Sequence, residues 1–466
     1  MKITQTFWSG RANPTQKAFG WPHAEYNLMS WALSCSSLRK YYHDVELYTD
    51  KKGYEILVEK MNLPYTKVHV VFNENLCLPN HWAYAKIKTY SLQEEPFIHV
   101  DGDIYISKPF PKEFLQAPLV AQNREIGTVY YKEMMNRVFD HSGIRIPQFI
   151  VNGIREDSIA SYNMGVFGGN DLEFIKDYCK RAFAFVEDNH LNDSSCSQSR
   201  VDCNLLFEQM FFAAQADMNN KKVAVLRSPT HDEGYTSRDF CNLTNFEDAD
   251  FFHILGGHKQ SQSICYALEK TLSRKYPDIY LRICNLYKDR HPFLFGIKDK
   301  QEKSNDYHLP TSFSNELRKN WNNLSTRQLM DMEALSSTFF KFMNSSKERR
   351  NSFVVQRNPH MKFHILDSPI YTKTAKNEQD KTTEIVGLCC VPSVSSFGKQ
   401  IIPVCPLGYR IIQLLDQNSI TYGEIKKRLR TCFSEKLRKQ PKTLHTLFYQ
   451  EITYLFYHNI LTTNTD

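Results

Sequence analysis

Asp101 and Asp103 flank Gly102 inside an otherwise apolar run, Phe97-Ile98-His99-Val100-Asp101-Gly102-Asp103-Ile104-Tyr105-Ile106. The run has the length of a buried strand. In extended backbone, residues two apart share a side, so the two carboxylates can converge on one target. Gly102 between them lets a ligand come close to the backbone. Charges at the end of a buried strand need partners. A hard divalent cation that also carries substrate phosphates suits such a pair. The chemistry implied is metal-assisted transfer from a phosphorylated donor. The competing reading is a solvated turn, where most short acidic triplets sit; the apolar residues on both sides disfavour it.

A second constellation lies 150 residues downstream, in Asp250-Phe251-Phe252-His253-Ile254-Leu255-Gly256-Gly257-His258-Lys259. His253 sits at the centre of an apolar strand, and a neutral imidazole is a good ligand for a divalent metal. Gly256 and Gly257 free the backbone to approach phosphate oxygens, and Lys259 supplies a compensating charge. A lone buried histidine is more often a satisfied core residue; the glycines and the lysine shift the balance toward ligation. Lys86 and Lys88 precede the aspartate strand, where they could meet donor phosphates, although solvated lysines are the plainer reading for at least one. Trp8 and Asp50 end the first two strands, positions from which an indole and a carboxylate could reach a nucleobase and a ribose.

Together these motifs resemble the nucleotide-sugar-dependent glycosyltransferases of the GT-A fold. The Asp-x-Asp element matches at Asp101 and Asp103. The His-x-x-Gly-x-x-Lys element of retaining glycogenin-like and galactosyltransferase-like members matches at His253, Gly256 and Lys259. The resemblance covers roughly residues 1 to 290 in element order, and it departs at Gln260-Ser261, where those enzymes continue with Pro-Trp. It implies that Asp103 binds Mn²⁺ or Mg²⁺, that Asp101 binds the metal or the donor's ribose and sugar, and that His253 completes the metal site. Lys259 would hold the diphosphate of a nucleotide-sugar, a UDP-sugar in this class. Breaking a glycosyl–phosphate bond leaves a charged diphosphate, which a metal and a lysine stabilise. Similar enzymes line the donor sugar with an Asn-x-Gly-Val-Phe-like strand, here Asn163-Met164-Gly165-Val166-Phe167, which makes Asn163 and Gly165 candidate sugar contacts. The competing reading is a glycine-permitted bend in a strand. Glu208 and Gln209 resemble the acidic-amide pair of the acceptor region, with Glu208 the catalytic candidate; a solvated helix face competes.

The elements that must position these groups alternate between strand and helix. Lys2 to Phe7, Val45 to Asp50 and Lys67 to Phe72 read as strands. Ala24 to Tyr42, Lys51 to Met61 and His81 to Leu92 read as helices, the first with Leu28, Trp31, Ala32, Cys35 and Leu38 on one face. Such alternation predicts a Rossmann-like α/β sheet, mixed and flanked by helices, that binds ligands beyond the carboxyl ends of its strands. Further strands are expected at Ser158 to Gly169, Lys222 to Leu226 and Phe251 to Leu255. Helices are expected at Leu172 to Glu187, Cys203 to Ala216 and within Ile264 to Leu286.

The chain has 466 residues, too many for one ordinary domain. We expect a transferase-like domain over residues 1–297, a helical linker region over 298–359, with Asn315 to Met343 helical, and a small α+β domain over 360–466. In the last, strands at Phe363 to Tyr371, Thr383 to Val391 and Lys399 to Val404 precede helices at Gly408 to Leu415, Tyr422 to Cys432 and Thr443 to Phe456. Thr421 and Glu424 have the spacing of a capping box. Pro406-Leu407-Gly408-Tyr409 and the helices after it resemble the winged-helix, PqqD-like domains that bind a leader peptide as an added strand. The basic run from Lys426 to Lys439 lacks any further sign of base reading, so a peptide partner or a solvated face is expected rather than nucleic acid.

A net charge of +7 suits anionic substrates without demanding nucleic acid. Twelve cysteines are scattered without metal-ligand spacing and read as reduced core thiols. Met1 to Trp8 is too short to read as a signal peptide, and no apolar run is long enough to span a bilayer. A soluble, cytoplasmic enzyme that glycosylates a saccharide or peptide acceptor is the leading expectation. A transferase fold that only binds sugar or peptide, and a nucleotidyltransferase, are the alternatives.

Overall fold

Lys2–Phe7 (β1), Val45–Asp50 (β2) and Lys67–Phe72 (β3) run parallel, β2 between the other two. Phe97–Val100 (β4) pairs parallel on the other side of β1, with Ile3 opposite Ile98. The order along this half, β3-β2-β1-β4, reverses direction at β1, which is where open α/β sheets place their ligands. Ile104–Ile106 (β5) follows the acidic turn. Leu119–Ile126 (β6), Ala160–Gly169 (β7) and Val223–Val225 (β8) complete a seven-stranded sheet of order β3-β2-β1-β4-β7-β6-β8. β7 is antiparallel to both its neighbours, so the sheet is mixed. Helices flank it, giving an α/β unit compatible with a Rossmann-like arrangement. The computed structural model describes residues 1–127, 129–141, 143–153, 159–231, 243, 249–287, 342, 345–373, 382–393, 398–416 and 419–463.

The chain divides into two compact units, Met1–Ile283 and Cys284–Asp466. In the first, an aromatic core joins β4 and β7 to the helix Leu172–Asp188 and to the helical segment from Leu206 to Met218. Phe167 meets Tyr90 and Phe212 with ring centroids 4.6 and 5.0 Å apart, and Tyr178 packs on both Phe167 and Phe212. Fully buried rings of this size dominate the stabilisation of such a layer. Asp171 starts the helix Leu172–Asp188, its side chain accepting from the Phe174 amide.

The helix Ala24–Arg39 is buried almost all round, not on the single expected face. Its serines are therefore internal, and Ser30, Ser34 and Ser37 all find partners in or beside the segment from Asp101 to Ile106. The helical patterning expected within Ile264 to Leu286 is two helices, Gln262–Lys275 and Pro277–Leu286; Pro277 cannot continue the first. Phe251–His253 (β9) pairs antiparallel with β5 in a separate two-stranded sheet, placing His253 opposite Ile104.

In the second unit, Val354–Arg357 (β10) is followed by Lys362–Lys373 (β11), Thr382–Ser393 (β12) and Gly398–Val404 (β13). The last three form an antiparallel sheet with β12 in the middle. Ile420–Thr421 (β14) and Leu461–Thr462 (β15) pair on either side of β10 in a second small sheet. Helices Pro406–Leu414, Tyr422–Leu429 and Pro441–Tyr457 carry the remaining core; the first and last have proline in their opening turn, and Thr421 caps the second by accepting from the Glu424 amide. The expected helix at Asn315 to Met343 and most of the linker region 298–359 lie outside the described residues. Among the described residues every cysteine is a free thiol, most of them buried, and no helix is long and apolar enough to cross a membrane.

Candidate functional site

Asp101 follows the last residue of β4, at the carboxyl end of the sheet beside the end of β1. Its amide donates to the Gly165 carbonyl at 2.8 Å, continuing the β4–β7 pairing by one residue. Ile104 N donates to Asp101 O at 3.2 Å, which closes the turn through Gly102 and Asp103. The buried helix Ala24–Arg39 grips this turn: Ser30 Oγ donates to Gly102 O at 2.8 Å and Ser34 Oγ to Asp101 O at 3.3 Å. Glycine is required at 102 because a Cβ there would lie 2.3 Å from the Trp31 indole. The Ile254 amide donates to Asp103 O at 3.1 Å, locking β9 against the turn.

This wiring brings Asp101, Asp103 and His253 together, with one potential ligand atom from each lying within 4.8 Å of the others. His253 Nε2 is 3.4 Å from Asp103 Oδ1. Its other nitrogen, Nδ1, is 2.6 Å from Gln122 Oε1. The Gln122 amide nitrogen donates to Asn123 Oδ1 at 3.1 Å, so Oε1 is the atom that faces the ring. An amide oxygen only accepts, so Nδ1 carries the proton and Nε2 is turned toward the carboxylates. This is how a ligating histidine is commonly held, with its second nitrogen donating to a fixed acceptor. Gly165 makes room for the pair: a Cβ there would come within 2.5 Å of His253 Cε1 and 2.9 Å of Gln122 Oε1.

Each carboxylate also has a lysine. Lys86 Nζ is 3.0 Å from both Asp101 oxygens, 3.3 Å from the Met164 carbonyl and 2.6 Å from Glu208 Oε1. Lys259 Nζ lies 2.6 Å from Asp103 Oδ2. Burial raises the Asp101 carboxyl above its ordinary value, with Lys86 opposing and Asp103 adding to the rise. Burial acts in the same direction on Asp103, but the Lys259 ammonium outweighs it and holds that carboxyl well below the usual carboxylate range. For Lys86, the neighbouring Asp101 and Glu208 carboxyls outweigh burial, so its ammonium is held charged. Glu208 is completely buried, and burial pushes its carboxyl up to about 7 against the pull of Lys86.

The remaining expected site residues fall in varied places. Glu208 stands behind Lys86, where it positions the lysine. Asp50 is 3% exposed and its carboxylate is fully engaged: Oδ2 accepts from Ser9 N, Ser9 Oγ and Gly10 N at 2.7–3.0 Å, and Oδ1 caps the following helix through Gly53 N. It shapes the loop after β1. Trp8 donates through Nε1 to Asn73 O and packs against Tyr48, Phe72 and Ala85. Asn163 lies in β7, bonded to Glu125 Oε1 at 3.1 Å and accepting from Gly165 N at 3.0 Å; Tyr131 links Glu125 to Gln209. Gly256 takes a positive φ of 40° at the head of the short turn Gly256–Gln260 that carries Lys259. Lys88 turns away, over the Phe183 ring. Two residues beside the cluster were not anticipated. One is Gln122. The other is Trp82, 47% exposed, whose ring centroid is 5.7 Å from Lys86 Nζ.

Two carboxylates and one imidazole form a sulfur-free donor set of the kind that holds a divalent cation. The orientation of His253 by Gln122 fits the same use, so the residues present fit a divalent cation. The chain belongs to DUF6734, a family of unknown function, whose model matches residues 1–286. No curated protein matches the chain.

Proposed function

We propose that this chain is a metal-dependent glycosyltransferase with a GT-A-like first unit, moving a sugar from a nucleotide-sugar to a hydroxyl or peptide acceptor. The observation that carries the reading is the convergence of Asp101, Asp103 and His253 at the carboxyl end of β4, with Lys259 2.6 Å from Asp103. A divalent cation held there would offset the charge that develops on a departing diphosphate. The chain's own groups prepare for that charge. Gln122 fixes the ring of His253, Glu208 and Asp101 hold Lys86 charged, and Lys259 supplies a second ammonium at the edge of the site. Asn163 and Gly165 would flank the donor sugar, and a UDP-sugar with retention of configuration is the donor chemistry that the resemblance to glycogenin-like enzymes at His253, Gly256 and Lys259 implies. The exposed face of Trp82 offers an apolar surface on which an acceptor sugar could stack.

For the second unit we propose a winged-helix-like, peptide-binding role, supported by the antiparallel sheet that leaves β11 at an edge with Ile365 and Tyr371 exposed. The test of the whole reading is to incubate the protein and Mn²⁺ with a panel of nucleotide-sugars and follow the released nucleotide. Release of nucleoside diphosphate that disappears in Asp103→Asn is the expected result. Release of pyrophosphate from nucleoside triphosphates would instead identify a nucleotidyltransferase, and no turnover with any donor would leave a sugar- or peptide-binding protein.

A further inference from the structure

The two lysines at the site differ in how they are held. Lys86 is enclosed, with its side chain 7% exposed and contacts to Asp101, Glu208 and the Met164 carbonyl. Lys259 is more open: its side chain is 18% exposed and its ammonium contacts Asp103 Oδ2. It rides on the turn Gly256–Gln260, where Cβ atoms built on Gly256 or Gly257 would meet nothing within 4 Å. The backbone that carries Lys259 therefore has space around it, whereas the backbone under Lys86 is helix Ala83–Ser91.

Asp103 is already paired with Lys259, and Asp101 shares Lys86 with Glu208. A dication entering alone would leave this half-buried cluster with an excess of positive charge, one unit with Glu208 ionised and two with it protonated, and with one ammonium sharing a carboxylate with the newcomer. Such crowding in a poorly solvated site is costly. A diphosphate brings two negative charges as the diester of a nucleotide-sugar, or up to three as UDP, and a new acceptor for an ammonium. With cation and diphosphate together, the balance is restored.

We infer that Lys259 stands in for part of the cation's charge at Asp103, so that the site takes up a divalent cation jointly with a diphosphate and only weakly by itself. This rests on the metal-site reading above and makes Lys259 the residue that couples the two ligands. Coupling of this kind is reciprocal: the diphosphate tightens cation binding by the same factor as the cation tightens diphosphate binding.

The test is Mn²⁺ binding to the full chain by equilibrium dialysis, with and without saturating UDP present on both sides of the membrane, so that the Mn²⁺–UDP complex formed in solution is the same on each side and protein-bound Mn²⁺ is read as the excess on the protein side. In the wild type, UDP should tighten Mn²⁺ binding by about tenfold or more. Lys259→Met should bind Mn²⁺ alone about tenfold tighter than wild type and lose most of the UDP enhancement, while Lys259→Arg should behave as wild type. Lys259→Gln gives the same readout should the methionine variant fail to fold. If the neutral variants bind Mn²⁺ alone no tighter than wild type, while Asp103→Asn still abolishes binding, the stand-in role is overturned and the metal site survives. If Asp103→Asn leaves Mn²⁺ binding unchanged in every background, the metal site falls and this inference with it.

Discussion

Gly165→Ala should impair the cation site while leaving the chain folded. The added methyl would sit 2.5 Å from His253 Cε1 and 2.9 Å from both His253 Nδ1 and Gln122 Oε1, whereas ordinary contacts start at 3.4 Å. Something must move by about 1 Å. The strand cannot yield easily, because Gly165 O accepts from Asp101 N at 2.8 Å and Gly165 N donates to Asn163 Oδ1 at 3.0 Å. The imidazole and the amide are the mobile parties, so the strain falls on the contact that aims Nε2 at Asp103. Overpacking of this size costs about 1–3 kcal/mol, and for a unit of this length each kcal/mol lowers the melting temperature by roughly 2–4 °C. Loss of a ligand's supporting hydrogen bond weakens metal affinity by about 10–100-fold. Isothermal titration with Mn²⁺ in the presence of UDP, beside a thermal melt, separates the two effects. A folded Gly165→Ala protein that binds Mn²⁺ as tightly as wild type would refute the assignment of His253 as a ligand.

Gln122→Leu removes the acceptor for His253 Nδ1 without crowding it, and should weaken Mn²⁺ binding by about 10–100-fold with little loss of stability; the same titration checks it. Glu208 has its carboxyl raised from 4.5 to about 7, so between those values the folded chain holds a proton that the unfolded chain has released. Stability contributed at low pH is therefore lost as pH climbs from 4.5 through 7, by up to about 3 kcal/mol. Glu208→Gln should flatten that decline, and urea unfolding at pH 5 and pH 8 measures it; parallel profiles for the two proteins would show that Glu208 is not the titrating group. Asp50→Ala strips the acceptors from Ser9, Gly10 and Gly53 and should cost about 1–3 kcal/mol in the thermal melt, with Mn²⁺ affinity unchanged.

The acidic pair, the histidine strand and the following lysine were legible because each is a local pattern, a run of apolar residues interrupted by groups that packing cannot explain; the expected continuous strand is instead two strands joined by a turn through Gly102 and Asp103, which the Asp101 carbonyl closes by accepting from Ile104 N. Gln122 was not, because its meaning comes from a partner 131 residues away, and a glutamine within a strand carries no signal of its own. Ser30, Ser34 and Ser37 were hidden for a related reason. Amphipathic periodicity assigns polar positions to solvent, yet this helix is enclosed and its serines bind the turn that holds Asp101. Glu208 was found as a residue but not in its place. The sequence marks a carboxylate among apolar neighbours and cannot say that a lysine from another helix stands in front of it. Direction was also unreadable: β7 has the apolar character of a buried strand, and nothing in that character says that it runs against β4. The strands β10, β14 and β15 escaped because two to four residues do not establish a period, and their pairing joins segments over 60 residues apart.

The two aspartates differ in what their surroundings do to them, although only Gly102 stands between them in the chain. Asp103 sits 2.6 Å from Lys259, whose ammonium favours its charged form over the protonation that burial favours. Asp101 is pushed toward protonation by burial and by Asp103, and depends on Lys86 to offset that push. Lys86 in turn is held charged by Asp101 and Glu208. The charge of Asp101 is therefore set by a buried chain of contacts that reaches back to the helical segment around Glu208, whereas that of Asp103 is set by a lysine on a surface turn. One side of the site is built into the core and the other is open to exchange. On the proposed function, in which cation and diphosphate are taken up and released together, a site has physical reason to be divided in that way.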